Sequence, residues 1–229
     1  MERPIAYSTE MVLATLDGRK SKTRRVCKHQ HWSHSELVDV NINGISQKVD
    51  RNVSCPYGQK GDILWVREEH LITFSEDKCW ITVEFKDGYK FTVYFKEMSL
   101  ILLERLRKRK TLGKWQRARF LPKEFARLWL KVNNVRVERL QDISNIDALA
   151  EGIETGPMET DPFSKETLPT YKIYGEVDRF IWTLPAVSFK SLWRSINGPD
   201  SWAANPWVWV VQFKVVSTTG RANVKEVQA

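Results

Sequence analysis

One short basic segment combines side chains that can hold phosphate with side chains that can carry out nucleophilic chemistry. Residues 18–25 read Gly-Arg-Lys-Ser-Lys-Thr-Arg-Arg. The glycine permits a sharp turn, and the five cations can donate charge-assisted hydrogen bonds to phosphate or carbonyl oxygens. The Thr23 hydroxyl is a nucleophile only beside a base. Lys20 can be that base if burial or neighbouring cations lower its pKa. A solvated basic loop remains the alternative.

Charge is distributed unevenly along the 229-residue chain. It has 36 Lys and Arg against 28 Asp and Glu, a net charge of +8. Residues 17–31 contain six basic residues and one acidic, and residues 101–131 contain eleven and two. Residues 151–180 reverse the balance, with seven acidic residues and three basic. Two concentrated basic patches predict a polyanionic partner, RNA or DNA.

The second basic patch has its densest charge at residues 105–110. A solvated face of a helix is the alternative interpretation of this run, because charged residues commonly line the exposed side of a helix. If the patch binds nucleic acid, the expected contacts are Arg107, Lys108 and Arg109.

The composition points away from a membrane, a disulfide framework and a cofactor. No apolar run approaches the roughly 20 residues that a membrane helix needs, and the N-terminus lacks an apolar signal core. Three widely spaced cysteines form no disulfide pattern, so we expect a cytoplasmic protein. Cys27 precedes His29, His31 and His34, but their alternate spacing lacks a Cys-x-x-Cys pair. Loop histidines are therefore favoured over a metal site, and no metal is expected.

Turn and periodicity signals place the basic segment directly after a helix. Ser8 or Thr9 is a candidate N-cap for a short helix that Asp17-Gly18 ends. Asp87-Gly88 is typical of a hairpin turn, and Ser144 or Asn145 of a second N-cap. Strands are predicted at residues 63–67, 79–85, 90–95, 128–140 and 207–216, and helices at 97–110, 146–152 and 187–196.

Five or more strands with few helices predict an α+β protein built on a closed or nearly closed mixed β-barrel. We expect the first and last strand-like segments to pair and close it. A single domain over residues 1–216 is expected, followed by a flexible tail at 217–229. The first predicted insertion is mostly loop with a possible hairpin at Asn43-Gly44, and the last is a proline-containing loop. The predicted insertions lie near residues 26–57, 97–125 and 154–180.

Four blocks of the sequence resemble ASCH-domain proteins of the PUA-like superfamily. The first-block signature is a glycine, a lysine, a threonine or serine three residues after the lysine, and then arginine, as in residues 18–25. The last block is similar to the ending of a phage- and prophage-encoded branch, which implies the cytoplasm of a bacterial host cell. The four blocks are residues 4–26, 61–68, 135–153 and 189–213.

The resemblance implies a β-barrel whose cleft is lined by the first and third blocks. In the ASCH enzymes that hydrolyse N(4)-acetylcytidine, a lysine, a threonine and a glutamate form the catalytic set. The matching positions here are Lys20, Thr23 and Glu151. Thr23 would attack the acyl carbon, Lys20 would take its proton, and Glu151 would orient the lysine or handle the leaving amine. The long insertions of this chain can reshape or cover such a cleft.

The remaining binding candidates come from the first and second blocks. Trp32, Trp65 and Trp115 are candidates for stacking on a base, and Trp65 is preferred among the three because its strand borders the expected cleft; packing in the barrel is the alternative. Three functions stay open: a hydrolase of a modified cytidine, a non-catalytic reader of RNA or DNA, and a phage accessory factor that binds a host protein. The other binding candidates are Arg19, Lys22, Arg24, Arg25, Arg67 and Glu68.

Overall fold

The computed structural model describes residues 1–28, 37–42, 45–50, 54–77, 79–109, 111–160, 165–175 and 178–220. The fold is α+β, with mixed and antiparallel sheets. In chain order its elements are β1 (Glu2–Ala6), α1 (Thr9–Leu16), β2 (Lys22–Val26), β3 (Leu37–Ile42), β4 (Ile45–Asp50), β5 (Ile63–Arg67), β6 (His70–Phe74), β7 (Trp80–Phe85), β8 (Lys90–Tyr94), α2 (Leu100–Arg107), β9 (Trp129–Arg139), α3 (Asn145–Ala150), β10 (Thr155–Thr160), β11 (Thr167–Ile173), β12 (Arg179–Ile181), α4 (Pro185–Asn197) and β13 (Trp207–Ser217).

The chain divides into two compact units. The first unit contains Met1–Leu13, Ile63–Lys131 and Val215–Ala229, and the second contains Ala14–Asp62 and Val132–Lys214. Strand β9 begins in the first unit and continues in the second. The predictions for Trp32, for the three histidines at positions 29, 31 and 34 and for the Asn43-Gly44 turn lie outside the described residues.

The first unit combines a small mixed sheet with an antiparallel meander. Strand β1 runs parallel to β5, and β5 pairs antiparallel with the first residues of β9. Strands β6, β7 and β8 form the meander, with the predicted turn at Asp87-Gly88. Alternate residues of β7, Ile81, Val83 and Phe85, are buried, as expected when one sheet face covers a core. Leu102 and Leu106 of α2 pack into the same cluster.

The second unit places β13 between β9 and β2. Strands β2 and β13 are antiparallel, with Thr23 opposite Val211. Helix α3 begins at the predicted cap, where the Ser144 hydroxyl accepts a hydrogen bond from the Asp147 N–H at 3.1 Å. Phe189 and Trp193 of α4 pack against apolar residues of α3 and β13. These contacts fix α3 beside the strand that carries the basic segment.

The prediction of a closed barrel differs from the structure. The described strands do not close, because β1 has β5 as its one neighbour and β2 has β13 as its one neighbour. Pro4 lies within β1 and has no N–H to donate, which suits a strand at a sheet edge. The mixed sheet is therefore open at these two strands.

The segments predicted as loops contain more strand than expected. Strands β3 and β4 pair antiparallel in a segment that was predicted to be mostly loop. Strands β10, β11 and β12 form an antiparallel sheet where a proline-containing loop was predicted. Pro157 lies at the register shift of edge strand β10, and Pro169 pairs only with β10, so neither proline interrupts a ladder on both sides.

Strand β6 was also not predicted from the sequence. It carries His70, which is fully buried. The Nδ1 atom of His70 lies 3.1 Å from the carbonyl oxygen of Glu68. Its Nε2 atom has no hydrogen-bond partner among the described residues. Burial lowers the pKa of His70 to about 4, and the nearby charge of Arg109 acts in the same direction. The side chain is therefore neutral at physiological pH.

We expect protonation of His70 to reduce stability between pH 6.5 and pH 4. The folded pKa of about 4 lies below the ordinary value of 6.5. The unfolded chain therefore binds more protons in this window, and the free energy of unfolding falls as the pH drops. The full loss is on the order of 3 kcal/mol. Urea unfolding of wild type and His70→Leu at several pH values measures it. An unchanged pH slope in the variant would contradict the expectation.

Candidate functional site

The basic segment follows α1 through a tight turn and then enters β2. The Ser8 hydroxyl accepts a hydrogen bond from the Met11 N–H, which caps α1 as predicted. Gly18 turns the chain at a φ of +76°, a value that favours glycine. The Lys20 N–H then donates to the Ala14 carbonyl at 2.9 Å. Residues 18–25 thus lie partly in a turn and partly in a strand, as the sequence indicated.

Lys20 is bound to Glu151, which comes from the third block of the sequence. The two residues form a β-bridge, and the Lys20 ammonium donates to the Glu151 carboxylate at 2.9 Å and to its carbonyl at 2.8 Å. Only 3% of Lys20 and 6% of Glu151 is exposed. Burial lowers the pKa of Lys20 against the opposing effect of Glu151, with smaller contributions from Arg25 and Arg24.

The close approach of these two segments depends on Gly152. Its φ is +88°, and a Cβ atom there would lie 2.9 Å from the Lys20 Cβ and 3.0 Å from the Ala14 Cβ. A side chain at this position would therefore be strained in its backbone and would push Lys20 away. Two residues that follow α3 therefore fix Lys20: Glu151 binds its ammonium, and Gly152 leaves room for its side chain.

Arg24 is buried among three carboxylates. Its Nε and Nη2 atoms donate to Glu138 at 3.0 and 2.5 Å, and Nη2 also donates to Asp147 at 2.9 Å. Its Nη1 atom donates to Glu151 at 3.0 Å. The Phe189 ring lies 5.8 Å from the guanidinium. Although burial opposes the charged form, the carboxylates raise the pKa of Arg24, led by Glu151.

Two further cations complete this buried ion network. Lys22 pairs with Asp147, and Arg136 pairs with both Asp147 and Glu138. Burial would raise the pKa of Asp147, but Lys22, Arg136 and Arg24 lower it to about 2. Four cations face three carboxylates, so the network has a net charge of +1. The network consists of Lys20, Lys22, Arg24, Arg136, Glu138, Asp147 and Glu151.

Thr23 lies on the other face of β2. Side chains alternate along a strand, so Lys22 and Arg24 point to the ion network while Thr23 points away from it. Thr23 is fully buried, and its hydroxyl has no hydrogen-bond partner among the described residues. Lys20 and Glu151 are therefore joined, whereas Thr23 is not hydrogen-bonded to either. Attack by Thr23 with Lys20 as base requires a rearrangement that brings the hydroxyl to the amine.

The remaining first-block candidates lie at the edges of the network. Arg19 is exposed and donates to the Gly152 carbonyl at 2.8 Å and to Asp17 at 3.0 Å. Arg25 is partly buried and lies opposite Trp209 of β13. Of the five cations at positions 18–25, four thus form ion pairs with carboxylates. The sequence charge of this segment is largely neutralised within the folded unit.

The second-block candidates belong to the first unit and are mostly buried. Trp65 is 7% exposed within the apolar core, and the Arg67 guanidinium lies 4.6 Å from its ring centroid. Glu68 accepts hydrogen bonds from Arg127 at 2.6 to 3.1 Å, and Arg127 also binds Asp87 at 2.6 Å. Stacking of a base on Trp65 would require the core to open. The sequence indicates Asp87 only as a turn residue and does not reveal this second buried ion cluster.

The second basic patch stays on the surface. Between Arg105 and Phe120 the sequence contains eight basic residues and no acidic one. Seven of these are described, and none forms a salt bridge with a described residue. Trp115 and Phe120 are 42% and 45% exposed. We call this region the Arg105–Phe120 surface; its described cations are Arg105, Arg107, Lys108, Arg109, Lys114, Arg117 and Arg119.

The exposed rings of the Arg105–Phe120 surface lie beside cations. The Lys86 ammonium is 4.1 Å from the Trp115 ring centroid, and the Arg119 guanidinium is 4.8 Å from that of Phe120. Arg109, which follows α2, donates to the Phe120 carbonyl at 3.1 Å. This hydrogen bond joins the segment after α2 to the backbone of Phe120. Trp115 was a sequence-predicted candidate, whereas Phe120 was missed; its position beside the basic run was the available signal.

Of the candidate metal ligands Cys27, His29, His31 and His34, only Cys27 lies in the described part of the chain. Within it, no group of three or more His, Cys, Asp or Glu side chains is placed to hold an ion. Burial raises the pKa of the Cys27 thiol to about 12.

We expect the buried arginine to matter much more for stability than the exposed one. Arg24→Met leaves three carboxylates close together without their shared cation, which should cost about 3–5 kcal/mol. Arg19→Met removes an exposed pair and should cost no more than about 1 kcal/mol. Chemical denaturation of both variants and wild type tests this difference. Similar losses in the two variants would show that Arg24 does not hold the network together.

No protein-family model, curated protein or solved structure matches this chain. Among the described residues, no helix is both long enough and apolar enough to cross a membrane. Function must therefore be inferred from the two sites themselves: a buried ion network in the second unit and an exposed cationic surface in the first.

Proposed function

We propose that this chain binds nucleic acid through the Arg105–Phe120 surface. The observation that carries the proposal is a run of seven described cations that form no salt bridge with a described carboxylate, interleaved with two exposed aromatic rings. Cations bind the phosphate backbone, and aromatic faces stack on bases. This pairing of residue types is typical of nucleic-acid-binding surfaces.

The dipole of α2 accounts for only part of this charge. Arg105 and Arg107 lie in the last turn, where cations stabilise the carbonyl end of a helix. Lys114, Arg117 and Arg119 lie beyond the helix and gain nothing from its dipole, which acts only within the last turn. Arg105 also lowers the pKa of Arg109, after the larger effect of burial, so like charges are held together at a cost. A polyanionic partner would relieve that repulsion.

We expect charge reversal on this surface to weaken nucleic-acid binding at least about tenfold. The variant is Arg107→Glu/Lys108→Glu/Arg117→Glu. Its matched control, Lys60→Glu/Lys190→Glu/Lys214→Glu, makes the same charge change at exposed positions of the second unit. Fluorescence anisotropy with labelled RNA and DNA at 50–200 mM salt gives the affinity and the slope of log affinity against log salt concentration. The slope should fall by about 0.7 for each single-strand phosphate that the variant no longer neutralises.

Two results would argue against nucleic-acid binding at this surface. Undetectable binding of wild type to every RNA and DNA at 50 mM salt would remove the function. Equal weakening by the test and control variants would mean that net charge alone drives binding and that the Arg105–Phe120 surface has no special role.

A second candidate function is hydrolysis of an acylated base such as N(4)-acetylcytidine by Lys20, Thr23 and Glu151. The observation that favours it is Lys20, a buried amine with a lowered pKa, three residues before the buried Thr23 hydroxyl, which has no hydrogen-bond partner among the described residues. Strongly perturbed titratable groups occur often at catalytic sites. Thr23 would form an acyl ester, Lys20 would take the hydroxyl proton, the amine would leave, and water would release the acid.

The second candidate function implies that the chain is related to ASCH-domain proteins and shares their PUA-like fold. Its support is the contact between the first and third sequence blocks, made by Lys20 and Glu151. Because the described strands do not close into a barrel, the relation depends on this contact and on the spacing of the motif.

Acetate release from N(4)-acetylcytidine tests the hydrolase. We expect wild type to release acetate and Thr23→Val, which removes only the hydroxyl, to reduce the rate at least about a hundredfold. Thr23→Ser retains a hydroxyl and should retain measurable turnover. Absence of turnover by wild type across a panel of acylated nucleosides would exclude this candidate, and full activity of Thr23→Val would exclude Thr23 as the nucleophile.

A further inference from the structure

We infer that the Arg105–Phe120 surface binds single-stranded nucleic acid, DNA or RNA, in preference to a duplex. The inference rests on the proposed nucleic-acid binding and names the class of ligand. Its basis is the presence of two exposed aromatic rings within the cationic surface, since phosphate binding alone would not need them.

Each ring is exposed over about two fifths of its residue's surface, and a cation lies over it. Trp115 is 42% exposed with Lys86 at 4.1 Å, and Phe120 is 45% exposed with Arg119 at 4.8 Å. A base stacked on such a ring gains apolar contact, while the adjacent cation reaches the phosphate that follows the base. Ring and cation thus form a pair suited to one nucleotide.

Stacking on a side chain distinguishes single strands from duplexes. In a duplex both faces of each internal base are covered by neighbouring bases, so a protein ring can stack there only after unstacking them. Unpaired bases expose their faces and can be splayed onto aromatic residues. A surface that relies on phosphate contacts alone would bind the duplex at least as well, because a duplex has the higher charge density.

The segment that carries Trp115 is fixed, although it forms no regular strand. Gln116 pairs with His70 of β6 through both backbone groups, at 3.1 and 2.7 Å. The Nε2 atom of the Gln116 side chain also lies within hydrogen-bond distance, 3.2 Å, of the carbonyl oxygens of Thr111, Lys114 and Trp115. The ring is therefore presented by an ordered backbone, which reduces the entropy lost when a base binds.

The two rings are close enough to engage one short oligonucleotide. Phe120 follows Trp115 by five positions, so the Cα atoms of the two residues lie at most about 18 Å apart. Arg109, at the end of α2, is hydrogen-bonded to the Phe120 carbonyl. Cations of α2 therefore continue the surface on the side of Phe120, and a strand stacked on both rings can place further phosphates there.

The test compares single strands with duplexes of equal length on the full chain. Fluorescence anisotropy at 100 mM salt measures the affinity for 12-nucleotide oligo-dT and oligo-U and for 12-base-pair DNA and RNA duplexes. We expect the single strands to bind at least about tenfold more tightly. The dT and U arms separate DNA from RNA, and a preference over the matching duplex with either sugar supports the inference.

Aromatic substitutions assign that preference to the rings. We expect Trp115→Ala and Phe120→Ala each to weaken single-strand binding at least about fivefold. The salt slope should not change, because the variants keep every cation that binds phosphate. Trp115→Phe retains a stacking face and should retain most of the affinity. Trp182→Ala is the matched control, since that ring is 39% exposed in the second unit.

The outcomes separate failure of this inference from failure of the proposed function. Equal affinity for single strands and duplexes, or wild-type binding by Trp115→Ala and Phe120→Ala, would overturn the inference and leave nucleic-acid binding intact. Undetectable binding of all four probes would remove the proposed function and the inference with it. A fall in affinity with Trp182→Ala equal to that with Trp115→Ala would also overturn the assignment to this surface.

Discussion

The second unit depends on the burial of Arg24 among three carboxylates. Arg24 lies on β2, Glu138 on β9, and Asp147 and Glu151 on and just after α3. These partners are 114 to 127 residues away in the sequence. One guanidinium therefore joins three elements, and its planar fork can reach several carboxylates at once as an ammonium could not. The desolvation cost of the network is offset only while every member keeps its partners.

The same network determines what the motif residues can do. Lys20 reaches Glu151 because Arg24 holds that carboxylate in place and Gly152 leaves room beside it. Burial then lowers the pKa of Lys20, which favours the neutral amine that a general base needs. Thr23 lies on the opposite face of β2, so the pleat of the strand separates its hydroxyl from the Lys20 amine.

Helix ends and turns that depend on adjacent residues were predicted correctly from the sequence, whereas contacts between residues far apart in the chain were not. The end of α1 at Asp17-Gly18, the cap at Ser144 and the hairpin at Asp87-Gly88 each depend on a few adjacent residues, and all three are present. The strands around Pro157 and Pro169 were missed because the sequence does not show which edge of a strand stays unpaired. Barrel closure was predicted from a strand count, although the count does not determine which strands become neighbours.

Charge was the least predictable feature of the site residues. Net charge by segment marked both basic patches as candidate binding sites, yet the acids that neutralise the first come from residues 138–151. Only residues far along the chain decide whether a basic run is exposed or paired. The Arg127 pairing with Glu68 and Asp87 shows the same effect in the first unit. Local composition therefore did not show that cations of residues 18–25 pair with carboxylates.

The difference between the two patches follows from what a phosphate would have to displace. At Arg24 it would replace carboxylates held at 2.5 to 3.0 Å, leave them buried without a partner, and lose its own hydration in the same step. At the Arg105–Phe120 surface it would displace water and mobile counterions, whose release favours binding. A polyanion would therefore displace less at the Arg105–Phe120 surface, whose described cations form no salt bridge with a described carboxylate, than at the buried network.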